Sequence, residues 1–383
     1  MWRKLIAVSG VCAILIATPV SASAKVSADT TALKQALDQV VAAGMPGAIA
    51  ADRTHSVASG VADVTTGRPM RPGFRHRAGS ITKTFAATAI LQVVGEGRID
   101  LDAPVARYLP QYDTGDVTVR MLLNHTSGIA DFDSLLWLSA EDLIRYQHTT
   151  FTPDFLVRLS LAQPRGPRTH SYSNTNYLLA GMVLEKATGR DAMAEVHRRV
   201  IAPLHLRHTY LAGSSERIRG PHSKAYIPWL DGNLRDFSVY NMSWGWMLGD
   251  LVSTTEDLNT FFRALLTGRL LRPAQLAQMK TTVPFDPAEP EIGGYGLGLY
   301  SILTPCGLVW GHDGLTFGHS MISLITPDGS HQVSIGGNMT HYSLGPTPIE
   351  EAIGRLLLQE LCPTPSLRQA FTWRSPVHAN KSW

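Results

Sequence analysis

Strand-like runs cluster at the two ends of this chain, and helical runs fill the middle. Residues 47–53 and 56–63 read as a hairpin. Late in the chain, 294–303, 308–312, 320–326 and 332–336 read as strands, with Pro327-Asp328-Gly329 turning between the last two. Helices are expected at 31–43, at 80–94 (stopped by Gly95 and Gly97), at 176–188 (ended by Gly189) and at 349–361. Another, capped by Thr254-x-x-Asp257, runs to Leu266. Strands at both ends without βαβ alternation exclude a Rossmann-like sheet. The simplest assembly is α/β of the α+β kind. One antiparallel sheet is built from both chain ends and flanked by helices, and a mostly helical lobe spans about residues 98–270. The stretch Gly293-Gly294-Tyr295-Gly296-Leu297-Gly298 lacks dinucleotide-binding spacing and opens no helix, so its glycines read as strand glycines.

With 383 residues, 44% of them hydrophobic, the chain has material for a large core and is not a disordered protein. A net charge of +3 is too small to suggest nucleic acid or a polybasic membrane contact. The first residues read as an address. Arg3 and Lys4 precede an apolar run over 5–17, and an A-x-A site ends at Ala24. That is the pattern of a signal peptide at 1–24, cleaved after Ala24 to leave a secreted chain. The run is shorter than the ~18–20 residues of a spanning helix, so no stable membrane anchor is expected. The mature domain is then 25–362, followed by a polar, Pro-dotted tail at 363–383 that is expected to be loose. Loss of Cys12 leaves Cys306 and Cys362. An even pair in an exported chain forms one disulfide or stays as two buried thiols, and the bridge is expected. A monomer is expected.

Three short motifs could carry chemistry. Ser80-Ile81-Thr82-Lys83 opens a helix, and the i, i+3 spacing puts the Lys83 amine beside the Ser80 hydroxyl. Serine needs such a base to become a nucleophile, and lysine serves only if its pKa is lowered. The bland reading is an N-cap serine with a surface lysine. Tyr172-Ser173-Asn174 offers a phenol that could ionise and relay protons, and an amide to hold Lys83 or a substrate carbonyl. Its bland reading is a loop before a helix. His312, within Trp310-Gly311-His312-Asp313-Gly314, could donate towards Tyr172, and Gly314 would let a substrate approach the strand edge. A lone strand histidine is more often structural. No H-E-x-x-H or Cys/His cluster occurs, and His205-x-x-His208 reads as surface, so neither metal nor cofactor is expected.

In this order and on these elements, the motifs resemble the S-x-x-K serine hydrolases: class C β-lactamases, low-molecular-mass penicillin-binding proteins and related esterases and peptidases. Supporting blocks are FRHRAGSITK (74–83), LLNHTSGI (122–129), SYSNTNYLLAG (171–181), STTEDLNTFF (253–262) and YGLGL (295–299). The chain most resembles the secreted, soluble D-Ala-D-Ala carboxypeptidases, which also carry a disulfide placed like Cys306–Cys362. The resemblance implies a β-lactamase/transpeptidase-like fold and an acyl-enzyme at Ser80. Lys83 and Tyr172 would share proton transfer, and Asn174 and His312 would orient. The Ser80 and Leu315 N–H groups would form the oxyanion hole, with Trp244 walling the cleft. Substrates would be small molecules or peptides, β-lactams among them. The same family supplies the alternatives: esterase, D-amino-acid amidase or aminopeptidase, acyltransferase, or a penicillin-binding sensor that never turns over. One departure bears on substrate. Tyr300, Asp313 and Leu315 stand where the carboxypeptidases place a cation and two threonines for a free carboxylate. An anionic substrate end would lose its partner and meet Asp313, unless a basic group such as Arg235 fills in.

Overall fold

The computed structural model describes residues 22–229, 231–340, 347–362 and 371–376. Most of the expected signal peptide, and 363–370 and 377–383 of the tail, lie outside the described residues. No helix among those described is long and apolar enough to cross a membrane.

The strands β1 (Gly47–Ala51), β2 (Ser56–Asp63), β3 (Arg68–Pro69), β4 (Val283–Pro284), β5 (Gly293–Tyr295), β6 (Tyr300–Thr304), β7 (Gly307–Leu315), β8 (Ser320–Ile325) and β9 (Gln332–Gly337) form one sheet. Their order is β3-β2-β1-β9-β8-β7-β6-β5-β4, every pairing antiparallel. The chain's two ends meet where β1 pairs with β9, Ala48 opposite Gly337. Among the described residues the five longest helices are α1 (Ala22–Ala42), α2 (Ile81–Gly95), α3 (Thr175–Thr188), α4 (Thr255–Leu266) and α5 (Pro348–Leu361).

Strand alternation decides what each sheet face buries. In β8, Ile322 and Leu324 join a core with Leu33 and Leu37 of α1 and Leu356 and Leu357 of α5. Met321 and Ile325 join the other core, with α2 and α4. Helix α2 is buried on every side from Ile81 to Leu91, as a helix apolar all round must be. Its Phe85 stacks on Phe261 of α4 with centroids 3.7 Å apart.

Two expectations change. The single strand expected over 294–303 is two, β5 and β6, because the chain turns at Gly298 (φ +74°). A Cβ on Gly298 would lie 2.5 Å from Ala87 Cβ and 2.9 Å from Lys83 O, so only glycine lets the turn rest on α2. The tail is not loose throughout. Trp373 is 4% exposed and its N–H donates to Glu350 O (3.2 Å). The tail's aromatic residues have an apolar surface to cover, and Gly354 of α5 leaves room for its backbone. Cys306 and Cys362 stand with their Cα atoms 5.4 Å apart, a separation that disulfides accept.

Candidate active site

Ser80 stands directly before α2 with helical backbone angles, and its hydroxyl caps no backbone N–H. The bland reading of an N-cap serine therefore fails. Lys83 Nζ lies 3.1 Å from Ser80 Oγ, 2.7 Å from Asn174 Oδ1 and 2.9 Å from Leu248 O. Lys83 is wholly buried, so the surface-lysine reading fails too. The Asn174 and Leu248 oxygens can only accept. Once two N–H bonds are given to them, a neutral amine has its electron pair left for the Ser80 proton.

Asn174 is itself held. Its Nδ2 donates to Asp133 Oδ2 (2.7 Å) and Asp131 Oδ2 (3.3 Å), and its backbone N–H to Asp131 Oδ1 (3.1 Å). Ionised carboxylates only accept, so the amide keeps its oxygen towards Lys83. Asp131 and Asp133 were not expected here. They follow the LLNHTSGI block, and only their closeness to it could have pointed to them.

The Tyr172 ring lies beside Lys83, with Nζ 4.9 Å from its centroid, and its hydroxyl is near Ser80. Burial pushes the phenol well above its ordinary range. The Ser80 hydrogen bond opposes this, and the charges of Asp313 and Asp131 add to it. Burial thus favours the neutral phenol in the resting protein. His312 differs from the expectation. It does not reach towards Tyr172: Nδ1 donates to Asp313 O (2.5 Å), and Nε2 accepts from the Tyr295 hydroxyl (2.8 Å). Burial drops the imidazole to about 3, so it is neutral and orients Tyr295. Sequence reasoning passed over Tyr295 as a site residue, although it opens the YGLGL block.

Two glycines bring the remaining pieces together. A Cβ on Gly314 would lie 2.0 Å from Ala78 O and 2.6 Å from Ser80 N. One on Gly79 (φ +53°) would lie 2.7 Å from Leu315 N. Without side chains there, the Ser80 and Leu315 backbones run against each other, as a paired N–H site for an oxyanion requires. Trp244 lies in the turn Ser243–Gly245, its ring centroid 5.2 Å from those of Trp137 and Phe317.

Tyr300 and Asp313 are turned on each other. The Tyr300 hydroxyl donates to Asp313 Oδ1 (3.1 Å), and the two are 0% and 2% exposed. Burial raises the Asp313 carboxyl to about 6, against the hydrogen bonds from Ser375 and Tyr300 and the charge of Lys83. The carboxylate is therefore already engaged inside the protein and does not face an incoming substrate openly. Arg235 stacks instead on Trp229, 4.1 Å from its ring centroid.

This sheet, the helices packed with it and a buried Ser-Lys-Tyr cluster define a class. The chain belongs to the beta-lactamase family, whose model matches residues 33–333, and so to a family of serine hydrolases. Among solved structures it is similar to a D-stereospecific amidohydrolase from Streptomyces sp. (TM-score 0.74, 40% identity, covering 81% of this chain and 94% of that one). It is also similar to the D-amino acid amidase from Ochrobactrum anthropi SV3, solved with L-phenylalanine amide (TM-score 0.74, 27% identity, 85% and 97% covered). The esterase EstB of Burkholderia gladioli is 34% identical over 184 residues, 43% of this chain and 46% of that protein. The chain spans about half the length of the curated relatives it matches.

Proposed function

We propose that this protein is an exported serine hydrolase that forms an acyl-enzyme at Ser80 from the amide or ester of a D-amino acid, rather than a D-Ala-D-Ala carboxypeptidase. The observation that carries this reading is the Tyr300–Asp313 pair. The Tyr300 phenol and the Asp313 carboxyl are hydrogen-bonded at 3.1 Å, and the resemblance aligns them with the positions from which a carboxypeptidase would hold a C-terminal carboxylate with a cation. The similarity to a D-stereospecific amidohydrolase and a D-amino acid amidase points the same way.

Ser80 Oγ attacks the carbonyl carbon as its proton passes to Lys83 Nζ. The N–H groups of Ser80 and Leu315 receive the oxyanion, a contribution of about 3–4 kcal/mol per donor in comparable sites. The bond to the leaving nitrogen or oxygen then breaks. That atom takes the Tyr172 phenolic proton, and the Lys83 ammonium beside the ring returns its proton to the phenolate. Water then cleaves the acyl-Ser80 ester with the same groups acting in reverse. Trp244, Trp137 and Phe317 suit an apolar acyl side chain. Export through the 1–24 leader and a Cys306–Cys362 bridge are parts of the same reading.

The test is a hydrolysis panel of D-amino-acid amides, short-chain esters, D-Ala-D-Ala peptides and cephalosporins, run beside Ser80→Ala, with mass spectrometry of a fluorophosphonate-treated sample. Turnover of D-amides with the adduct on Ser80 supports the proposal. An adduct on another serine, with Ser80→Ala still active, ends it. Acylation without turnover would mark a sensor.

A further inference from the structure

The LLNHTSGI block has no role in the reaction described above, and it carries His125. The short helix Val119–Leu123 ends just before it. There the Thr126 N–H donates to Met121 O (3.0 Å) and the His125 N–H to Leu122 O (3.5 Å), while His125 itself has φ +60°. In that kind of helix ending the left-handed position normally goes to glycine. A histidine there carries strain that glycine would not, and its contacts show what the strain secures. His125 is wholly buried and grips the chain on both sides of Tyr172. The Ser171 N–H donates to His125 O (2.8 Å), and the Ser173 N–H to His125 Nδ1 (3.2 Å). Between those two bonds the Tyr172 ring lies against the imidazole, centroids 4.2 Å apart. The tautomer is set as well. Ser127 Oγ accepts from the Ile129 N–H (3.0 Å) and gives its own proton to Asn176 Oδ1 (2.6 Å), which turns Asn176 Nδ2 towards His125 Nδ1 (3.2 Å). Nδ1 therefore faces two donors and accepts, and the ring proton sits on Nε2.

We propose that His125 is a positioning residue for the reaction: by holding the backbone on either side of Tyr172 and lying against its ring, it fixes the phenol where the leaving atom departs. This rests on the reading above, in which Tyr172 gives that atom its proton. Tyr172 stands in the loop before α3, where no helix or strand holds it. A loop residue keeps catalytic geometry only if a rigid neighbour imposes it, and His125 is that neighbour. It acts through Tyr172 and not on the substrate. The consequence is selective. An amide nitrogen or an alkoxide leaves well only when protonated, whereas p-nitrophenolate leaves without a proton. Loss of the clamp therefore slows the first kind of substrate and spares the second.

The test pairs D-phenylalanine amide with D-phenylalanine p-nitrophenyl ester, and ethyl acetate with p-nitrophenyl acetate. Rates are compared as kcat/KM per fluorophosphonate-titrated site, a quantity that reads acylation alone. His125→Gly, which suits the helix ending, should lose about 100-fold on the amide and the ethyl ester and about 5-fold or less on the p-nitrophenyl esters. His125→Asn also suits a left-handed backbone and keeps an acceptor near the place of Nδ1, so it should recover about 10-fold of that loss. Ser127→Ala, a milder change that frees the Asn176 amide to turn, should show the same selective loss at about 5-fold. An equal loss on both kinds of leaving group in His125→Gly overturns the clamp, and so does an asparagine variant no better than the glycine one. If His125→Gly does not fold, Ser127→Ala decides: an absent or unselective loss overturns the clamp. If the natural protein refuses the D-phenylalanine pair but the acetyl pair shows the selective loss, the substrate reading falls and the clamp stands. Refusal of both pairs would sink the hydrolase reading and the clamp with it.

Discussion

Lys83 meets the oxygen of Asn174, not its nitrogen, and it does so because Asp133 holds that nitrogen from behind at 2.7 Å. A carboxylate outside the Ser-Lys-Tyr cluster thus decides which way the base can give or take a proton. Asp133→Ala should let the amide turn over and set an N–H donor against Lys83. The expected result is a fall of about 10- to 100-fold in kcat with a smaller change in KM. Asp133→Glu should recover part of it. Loss of folded protein with unchanged specific activity in the remainder would make Asp133 merely structural.

The acid and the amide of one peptide should differ sharply. If Tyr300 and Asp313 leave a C-terminal carboxylate without a cation, the acid form should be worse by about two to four powers of ten in kcat/KM, each lost charge-assisted hydrogen bond being worth about 1.5–3 kcal/mol. Tyr300→Arg combined with Asp313→Thr should narrow that gap. Faster cleavage of the acid by the natural protein would restore the carboxypeptidase reading.

Asp250 gives a pH signature of stability. It is fully buried, and burial raises its carboxyl to about 7 against backbone hydrogen bonds led by that from Gly213. The folded state then binds more protons than the unfolded one between about pH 4 and 7. The favourable contribution is complete below the unfolded pKa and is lost as pH rises through the folded one. Relative to Asp250→Asn, the natural protein should lose on the order of 2–4 kcal/mol between pH 4 and pH 8. Urea unfolding of both proteins across that range measures it. Parallel curves would show that Asp250 titrates normally.

If Cys306 and Cys362 are bridged, mass measurement after alkylation without reductant should find no free thiol from that pair. Cys306→Ser should then lower the melting temperature. The closed loop, with a sequence separation of 56, corresponds to about 4 kcal/mol in the chain-entropy model. Two alkylated cysteines from that pair in the native protein would refute the bridge.

The helix carrying Ser80 and Lys83 was legible because i, i+3 spacing and an apolar run are local signals, and the sheet built from both ends followed from where the strand patterns fall. Asp131, Asp133 and Tyr295 were not legible as partners. Their roles depend on loops brought together from distant parts of the chain, and no spacing rule encodes that. The pairing of His312 with Tyr295 rather than Tyr172 was hidden for the same reason. The turn at Gly298 was masked by a glycine-rich run that reads equally as strand. The tail misled because its composition is polar, while two aromatic residues are enough to dock it.

The pairing of β1 with β9 has a consequence for how the molecule comes into being. The hairpin 47–63 finds its sheet neighbour only when residues near 335 have been synthesised. Contacts that distant in sequence close late and slowly. A growing chain therefore carries Ser80 and Lys83 long before it owns His312, Leu315 or the edge against which Ser80 must lie. Until the last strands arrive there is a serine but no nucleophile, so the unfinished polypeptide is chemically inert. Its chemistry is acquired in one final step of assembly.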